Sequence, residues 1–154
     1  MVINTRAVER PEFIAELAAQ YGSQAVIASI DVKQGFLGRK LVRTRSGRRR
    51  TSLDPVFWAK EVEARGAGEI LLTSIDREGT WSGFDLELVK SVADAVRIPV
   101  IAHGGGGSVE HIGDAVKRAG ASAVALGSMV VFQKKGMGVL VNFPDRKQLE
   151  RVLK

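Results

Sequence analysis

The 154 residues are enough for one domain with a real core and too few for two ordinary ones, so residues 1–154 are read as a single domain. Hydrophobic residues at 45% and charged residues at 26% match a soluble globular protein. No apolar run reaches the ~18 residues of a membrane span, the N-terminus lacks a secretion signal, and with no Cys there are no disulfides, thiolate metal sites or Cys nucleophiles; the cytoplasm is the default location.

Taken in chain order, the elements alternate. Met1 to Thr5 reads as a short apolar strand. Pro11 to Tyr21 reads as a helix, with Phe13, Ile14, Leu17 and Ala18 at helical spacing, stopped by Gly22. Ala25 to Ile30 is a continuously apolar strand ending in Asp31. Leu37 to Arg45 is expected to form a small hairpin around Ser46-Gly47. Asp54-Pro55 opens a helix as cap and first-turn residue, and it runs to Arg65. Then come a strand at Glu69 to Ile75, a helix at Phe84 to Val96, a strand at Pro99 to Ala102, a helix at Val109 to Arg118 and a strand at Ala121 to Leu126. Apolar strands alternating with helices predict an α/β fold with parallel pairing, either an open doubly wound sheet or part of a barrel.

In such folds ligands bind at the C-terminal strand ends. His103-Gly104-Gly105-Gly106-Gly107 follows one strand and Gly127-Ser128 the next. Glycines there let backbone N–H groups approach an anion, so both turns are expected to share one phosphate. The run is not a GxGxxG fingerprint, and no acidic residue stands where a ribose would be read. Asp31 is expected at the mouth as general acid or base, or else as a partner of Lys33. Thr73, Asp76, Glu78 and His103 are expected to line the same mouth. His111, on a helix, reads as a surface residue, and two histidines without cysteine give a metal site little support. The +6 net charge is concentrated in Arg39, Lys40, Arg43, Arg45, Arg48, Arg49 and Arg50. That cluster is read as a solvated hairpin or as steering for an anionic metabolite. No aromatic residue interleaves it, so a base-stacking surface is not expected, and a nucleic-acid binder is kept only as a third reading.

The segment Ala67 to Thr80, Ala-Gly-Glu-Ile-Leu-Leu-Thr-Ser-Ile-Asp-Arg-Glu-Gly-Thr, closely resembles the sixth-strand segment of the cyclase subunit of imidazole glycerol phosphate synthase. Asn4-Thr5, Gly22 to Val26 and Ile30-Asp31 resemble that family's fourth and fifth strands with the helix between them. Ile98 to Gly107 and Gly120 to Ser128 resemble its seventh and eighth. The resemblance implies a partial (βα)8 TIM barrel, strands four to eight, and an enzyme that uses ammonia from a partner glutaminase on a phosphorylated sugar-type substrate, as in histidine biosynthesis. It implies no cofactor. It assigns Asp31 as one of two catalytic aspartates, Gly79, Gly104, Gly105, Gly127 and Ser128 to one phosphate, Asn4 and Thr5 to part of a second, and Glu69 to the gate at the barrel's lower end.

The departures carry expectations too. The likeness begins at the family's fourth strand, so the other catalytic Asp is expected to be missing and this chain to lack turnover alone. His103 stands where a small polar residue is expected. Ile30-Asp31-Val32-Lys33 and the tail from Val131 to Pro144 look more like homologues thought to supply ammonia for amidination of a nucleotide sugar in surface-polysaccharide biosynthesis. A non-catalytic phosphate-binding half-barrel that docks a glutaminase is a further alternative. Five strands with open edges are expected to self-associate.

Overall fold

The computed structural model describes residues 1–132, 138, 139 and 141–154. Of the tail segment singled out above, residues 133–137 and 140 lie outside the described residues.

A short strand β1 (Val2–Ile3) leads into helices α1 (Thr5–Glu9) and α2 (Glu12–Tyr21). Strand β2 (Ile27–Gln34) runs on through Asp31 for longer than its apolar composition predicts. It does so because β3 (Lys40–Thr44) pairs antiparallel with its second half, Asp31 opposite Arg43 and Gln34 opposite Lys40. β3 turns at Arg45–Arg48 into β4 (Arg49–Arg50), which gives the expected hairpin. Helix α3 (Pro55–Ala64) starts where Asp54 Oδ1 accepts the N–H groups of Val56 and Phe57. Strand β5 (Glu69–Ser74), helix α4 (Leu86–Ala93), strand β6 (Val100–His103), helix α5 (Val109–Lys117) and strand β7 (Ala123–Ala125) follow. Helix α4 is shorter than predicted at its start, because Asp85 caps it by accepting from Leu88 N and leaves Phe84 as a buried residue ahead of it. Helix α6 (Ser128–Val131) and helix α7 (Arg146–Leu153) close the chain; α7, absent from the sequence reading, packs against α5, where Val152 lies over Gly113.

The sheet order is β4-β3-β2-β5-β6-β7, with β1 also on β2. Pairings among β1, β2, β5, β6 and β7 are all parallel, and the hairpin adds the antiparallel ones. The sheet is open, and its parallel strands joined through helices form part of a (βα)8 barrel.

Alternation along the strands fixes the two faces. Ala28, Ile30 and Val32 of β2, Ile70 and Leu72 of β5, and Val100 and Ala102 of β6 are buried. They share one core with Leu17 of α2, Trp58 and Val62 of α3, Leu88 and Val92 of α4, and Ala115 of α5. Parallel crossovers of one hand place all these helices on the same side. The intervening residues, Ser29, Asp31, Leu71, Thr73, Ile101 and His103, are half-buried on the other face. That face is the concave side of the partial barrel, and it carries the polar strand residues.

Candidate active site

Strand register builds the site. Asp31 pairs with Thr73, Thr73 with His103, and His103 with Ala125. Cross-strand partners in parallel sheets project to the same face, so these four residues form one row at the C-terminal ends of β2, β5, β6 and β7. Adjacent strands lie about 4.8 Å apart, which puts Asp31 about 14 Å from the far end of the row.

Within the row, Thr73 Oγ1 and His103 Nδ1 are 3.1 Å apart. A hydroxyl both donates and accepts, so Thr73 serves either ring tautomer. His103 Nε2 faces Glu78 Oε2 at 3.5 Å. Ser29 Oγ donates to Asp31 Oδ1 at 3.1 Å. Burial pushes the Asp31 carboxyl above the ordinary carboxylate range, while the Ser29 hydroxyl, His103 and Asn4 pull it back. Asn4 acts from nearby only, since both polar atoms of its side chain are buried and make no hydrogen bond among the described residues. A carboxyl kept more basic than usual, in one row with an imidazole, is suited to moving protons.

The glycine turns close in at the far end of the row. A small cavity of ≈10 Å³ is bounded by Glu78, Gly79, Gly104 to Gly106, Gly127 and Ser128, with His103 and Ala125 at its edge. Gly104 has φ +94 and Gly105 φ +100, and a Cβ at these positions would meet Ser74 O at 2.5 Å and Gly83 O at 2.3 Å. Positive φ and close backbone approach thus demand glycine here on two independent grounds. The same packing seats the Trp81–Gly83 loop, whose Gly83 N donates to Gly105 O at 2.8 Å.

The structure therefore brings together Asp31, Thr73, Glu78, His103, Gly79, Gly104, Gly105, Gly127 and Ser128 at one end. It sets Asp76 apart: its carboxylate accepts from Gln34 N at 2.7 Å, tying the end of β2 to the loop after β5. Asp76 lines a different and larger cavity, of ≈550 Å³, between the hairpin and α4, where Lys40 pairs with Asp85 and Glu87. That cavity opens beside the outward residues Val32 and Ser74 and not on the row. Thr5 Oγ1 accepts from Arg45 N at 2.9 Å, so Asn4-Thr5 lies beneath the hairpin. Glu69 is level with Ile27 at the opposite end of β5, about 13 Å from Thr73.

His111 departs from the surface reading. It is half-buried, its ring packs over Gly83, and its Nδ1 accepts from Gly107 N at 3.2 Å. It is a clasp on the glycine turn. The one local signal is its position three residues after Ser108, whose Oγ caps α5 by accepting from His111 N. Among the described residues, no three His, Asp or Glu side chains converge in a way that could hold a metal ion, and no helix is long and apolar enough to cross a membrane.

Comparison with known proteins identifies the family. A family model described as histidine biosynthesis protein matches residues 1–135. The chain is also 47% identical over 146 residues to "Imidazole glycerol phosphate synthase subunit HisF" of Alkaliphilus metalliredigens (strain QYMF), a match covering 95% of this chain and 56% of that protein. The chain thus spans a little over half the length of that relative. On the breadth of the family match and the level of identity, it belongs to the histidine biosynthesis protein family.

Proposed function

We propose that this chain supplies the phosphate cradle and one of the proton-transfer groups of an ammonia-using cyclase of the imidazole glycerol phosphate synthase type, with a glutaminase as the source of ammonia. The observation that carries the reading is the register row, which lines up Asp31, Thr73 and His103 and ends at the glycine turns. A phosphate held at Gly104, Gly105, Gly127 and Ser128 leaves the rest of a sugar-type ligand lying back along the row toward Asp31. Ammonia attack on such a substrate requires protons to be removed and returned, and Asp31 is the group placed to exchange them. His103, tied to Thr73 and facing Glu78, orients and polarises the ligand between carboxylate and phosphate. Asn4, whose buried side-chain amide makes no hydrogen bond among the described residues, is the group the family resemblance gives to a second phosphate. Glu69, at the far end of β5, suits an entry point for ammonia.

A second reading, amidination of a nucleotide sugar, is favoured by Ile30-Asp31-Val32-Lys33, which looks more like the homologues of that kind. Two measurements separate these readings from a merely scaffolding half-barrel. Titration with ribose 5-phosphate is expected to give saturable binding that Ser128→Asp abolishes by setting a carboxylate against the phosphate. Ammonium-dependent turnover of the histidine-pathway substrate, measured with the part of the relative that this chain does not match supplied alongside, is expected to fall at least 100-fold with Asp31→Asn. An unchanged rate in that variant removes the acid–base role, and turnover of only a nucleotide sugar selects the second reading.

A further inference from the structure

The row does not stop at Asp31. Across the antiparallel side Asp31 pairs with Arg43, and Arg43 with Arg50. Directly opposed residues project to the same face, so Arg50, Arg43, Asp31, Thr73, His103 and Ala125 form one continuous line over six strands. At the arginine end lies a cavity of ≈320 Å³ lined by Lys33, Arg43, Arg48 and Arg50, with Gly35 and Phe36 on its rim and no acidic residue in its wall.

The charges around this cavity are unspent. Arg45 and Arg49 pair with Glu9, and Lys40 pairs with Asp85 and Glu87. Lys33, Arg43, Arg48 and Arg50 make no ion pair among the described residues. Arg43 is the telling member: it is only 6% exposed, and its buried Nε has no hydrogen-bond partner among the described residues. Its stem and Nε are held in the fold while its terminal nitrogens make no hydrogen bond among the described residues, so the cation is positioned without a counter-charge. A fold that keeps a guanidinium there, at the wall of a cavity ringed by further cations, has a place prepared for an anion. Guanidinium groups bind phosphate oxygens through paired N–H donors.

We infer that the hairpin cavity is a diphosphate-binding site, separate from the glycine cradle. Each phosphate group carries roughly −1.5 to −2 charges near neutrality. Four cations are therefore matched by two linked phosphates and over-supplied for one. Register places this site about 5 Å to one side of Asp31 and the glycine cradle about 10–14 Å to the other. The site shares no residue with the cradle, so the two stand or fall separately.

The test is calorimetric titration of the whole chain with inorganic pyrophosphate at about 150 mM salt, where exposed charges beyond about 8 Å are screened. Ser128→Asp serves as the background that silences the cradle. In that background pyrophosphate binding is expected to persist, and Arg43→Gln is expected to weaken it at least tenfold. Because Arg43 is buried, the exposed pair Arg48→Gln/Arg50→Gln is measured beside it, with the same tenfold loss expected and folding intact. Arg45→Gln/Arg49→Gln removes equal charge from the same hairpin and is expected to change affinity less than twofold. Orthophosphate is expected to bind at least tenfold more weakly than pyrophosphate.

Unchanged pyrophosphate affinity in both Arg43→Gln and Arg48→Gln/Arg50→Gln overturns the site. So does an equal loss in the Arg45/Arg49 control, which would mark diffuse charge, or equal affinity for orthophosphate. Tighter binding of a thymidine oligonucleotide of about ten residues through the same arginines also overturns it in favour of a nucleic-acid backbone surface. Loss of all binding in Ser128→Asp alone sinks the hairpin site and leaves the cradle. Binding that ignores Ser128→Asp but vanishes with Arg43→Gln, with no ribose 5-phosphate bound in wild type, sinks the cradle and leaves the hairpin.

Discussion

Gly105→Ala probes the cradle most directly, because its cost comes from two separable sources. At φ +100 an L side chain is strained by about 1–2 kcal/mol. The new Cβ would also lie 2.3 Å from Gly83 O and 2.9 Å from Gly83 C, and these are backbone atoms that no rotamer change can remove. The Trp81–Gly83 loop must shift, and the Gly83 N–H to Gly105 O bond of 2.8 Å is lost or stretched, for about 1 kcal/mol more. The sum is about 2–3 kcal/mol. For a chain of this size each kcal/mol lowers Tm by about 2–4 °C, so a fall of roughly 4–12 °C is expected by calorimetry or circular dichroism. Binding of ribose 5-phosphate should weaken at least tenfold, because the displaced loop drags the glycine amides with it. Gly127→Ala is the matched control: its φ is −110, and its Cβ would meet only Glu78 Oε1 at an ordinary 3.6 Å. Its Tm is expected to stay within about 2 °C of the parent. If Gly105→Ala melted with the parent while Gly127→Ala did not, the assignment of strain and close approach to Gly105 would be refuted.

Asp31→Asn should stabilise the chain near neutral pH. Burial raises the Asp31 pKa in the fold, so the folded state favours the protonated carboxyl, and the group's contribution is full below the unfolded pKa of ~3.9 and lost as pH rises through the folded value. Thermal melts should therefore show the substituted chain and its parent alike at about pH 3.5, and the substituted chain more stable at pH 7; the opposite order would mean that Ser29, His103 and Asn4 outweigh burial. Asp54→Ala should cost about 1 kcal/mol in chemical denaturation, since two N–H groups at the start of α3 lose their acceptor. The open edges at β1 and β7, with Val2 58% exposed, should drive self-association, read as a mass above one chain by light scattering at micromolar concentration; a stable monomer would count against it.

Much of the fold can be read along the chain because its signals are local. Asp54-Pro55 announces α3, the alternation at Glu69 to Ser74 announces β5, and the four glycines announce a turn that only glycine tolerates. Asp31 and Ser128 are legible as strand-tip residues for the same reason. His111 escapes a sequence reading because nothing within a few residues of it reveals that the Trp81–Gly83 loop folds over its ring. Asp76 reads like Asp31, a carboxylate just past an apolar strand, yet its partner is the amide of Gln34, 42 positions earlier.

The order of strands and helices, the glycine turns and the charge of the hairpin were set by the sequence itself, because periodicity, capping and φ preferences act between near neighbours. Register was not. Which residues share a row depends on how strands far apart in the chain slide against one another, and a shift of one position would turn Asp31, Thr73 and His103 to the helix side. Only the tertiary structure could decide that Arg43 stands across from Asp31 and makes no ion pair among the described residues, because a charge's partners are chosen by packing and not by proximity in sequence.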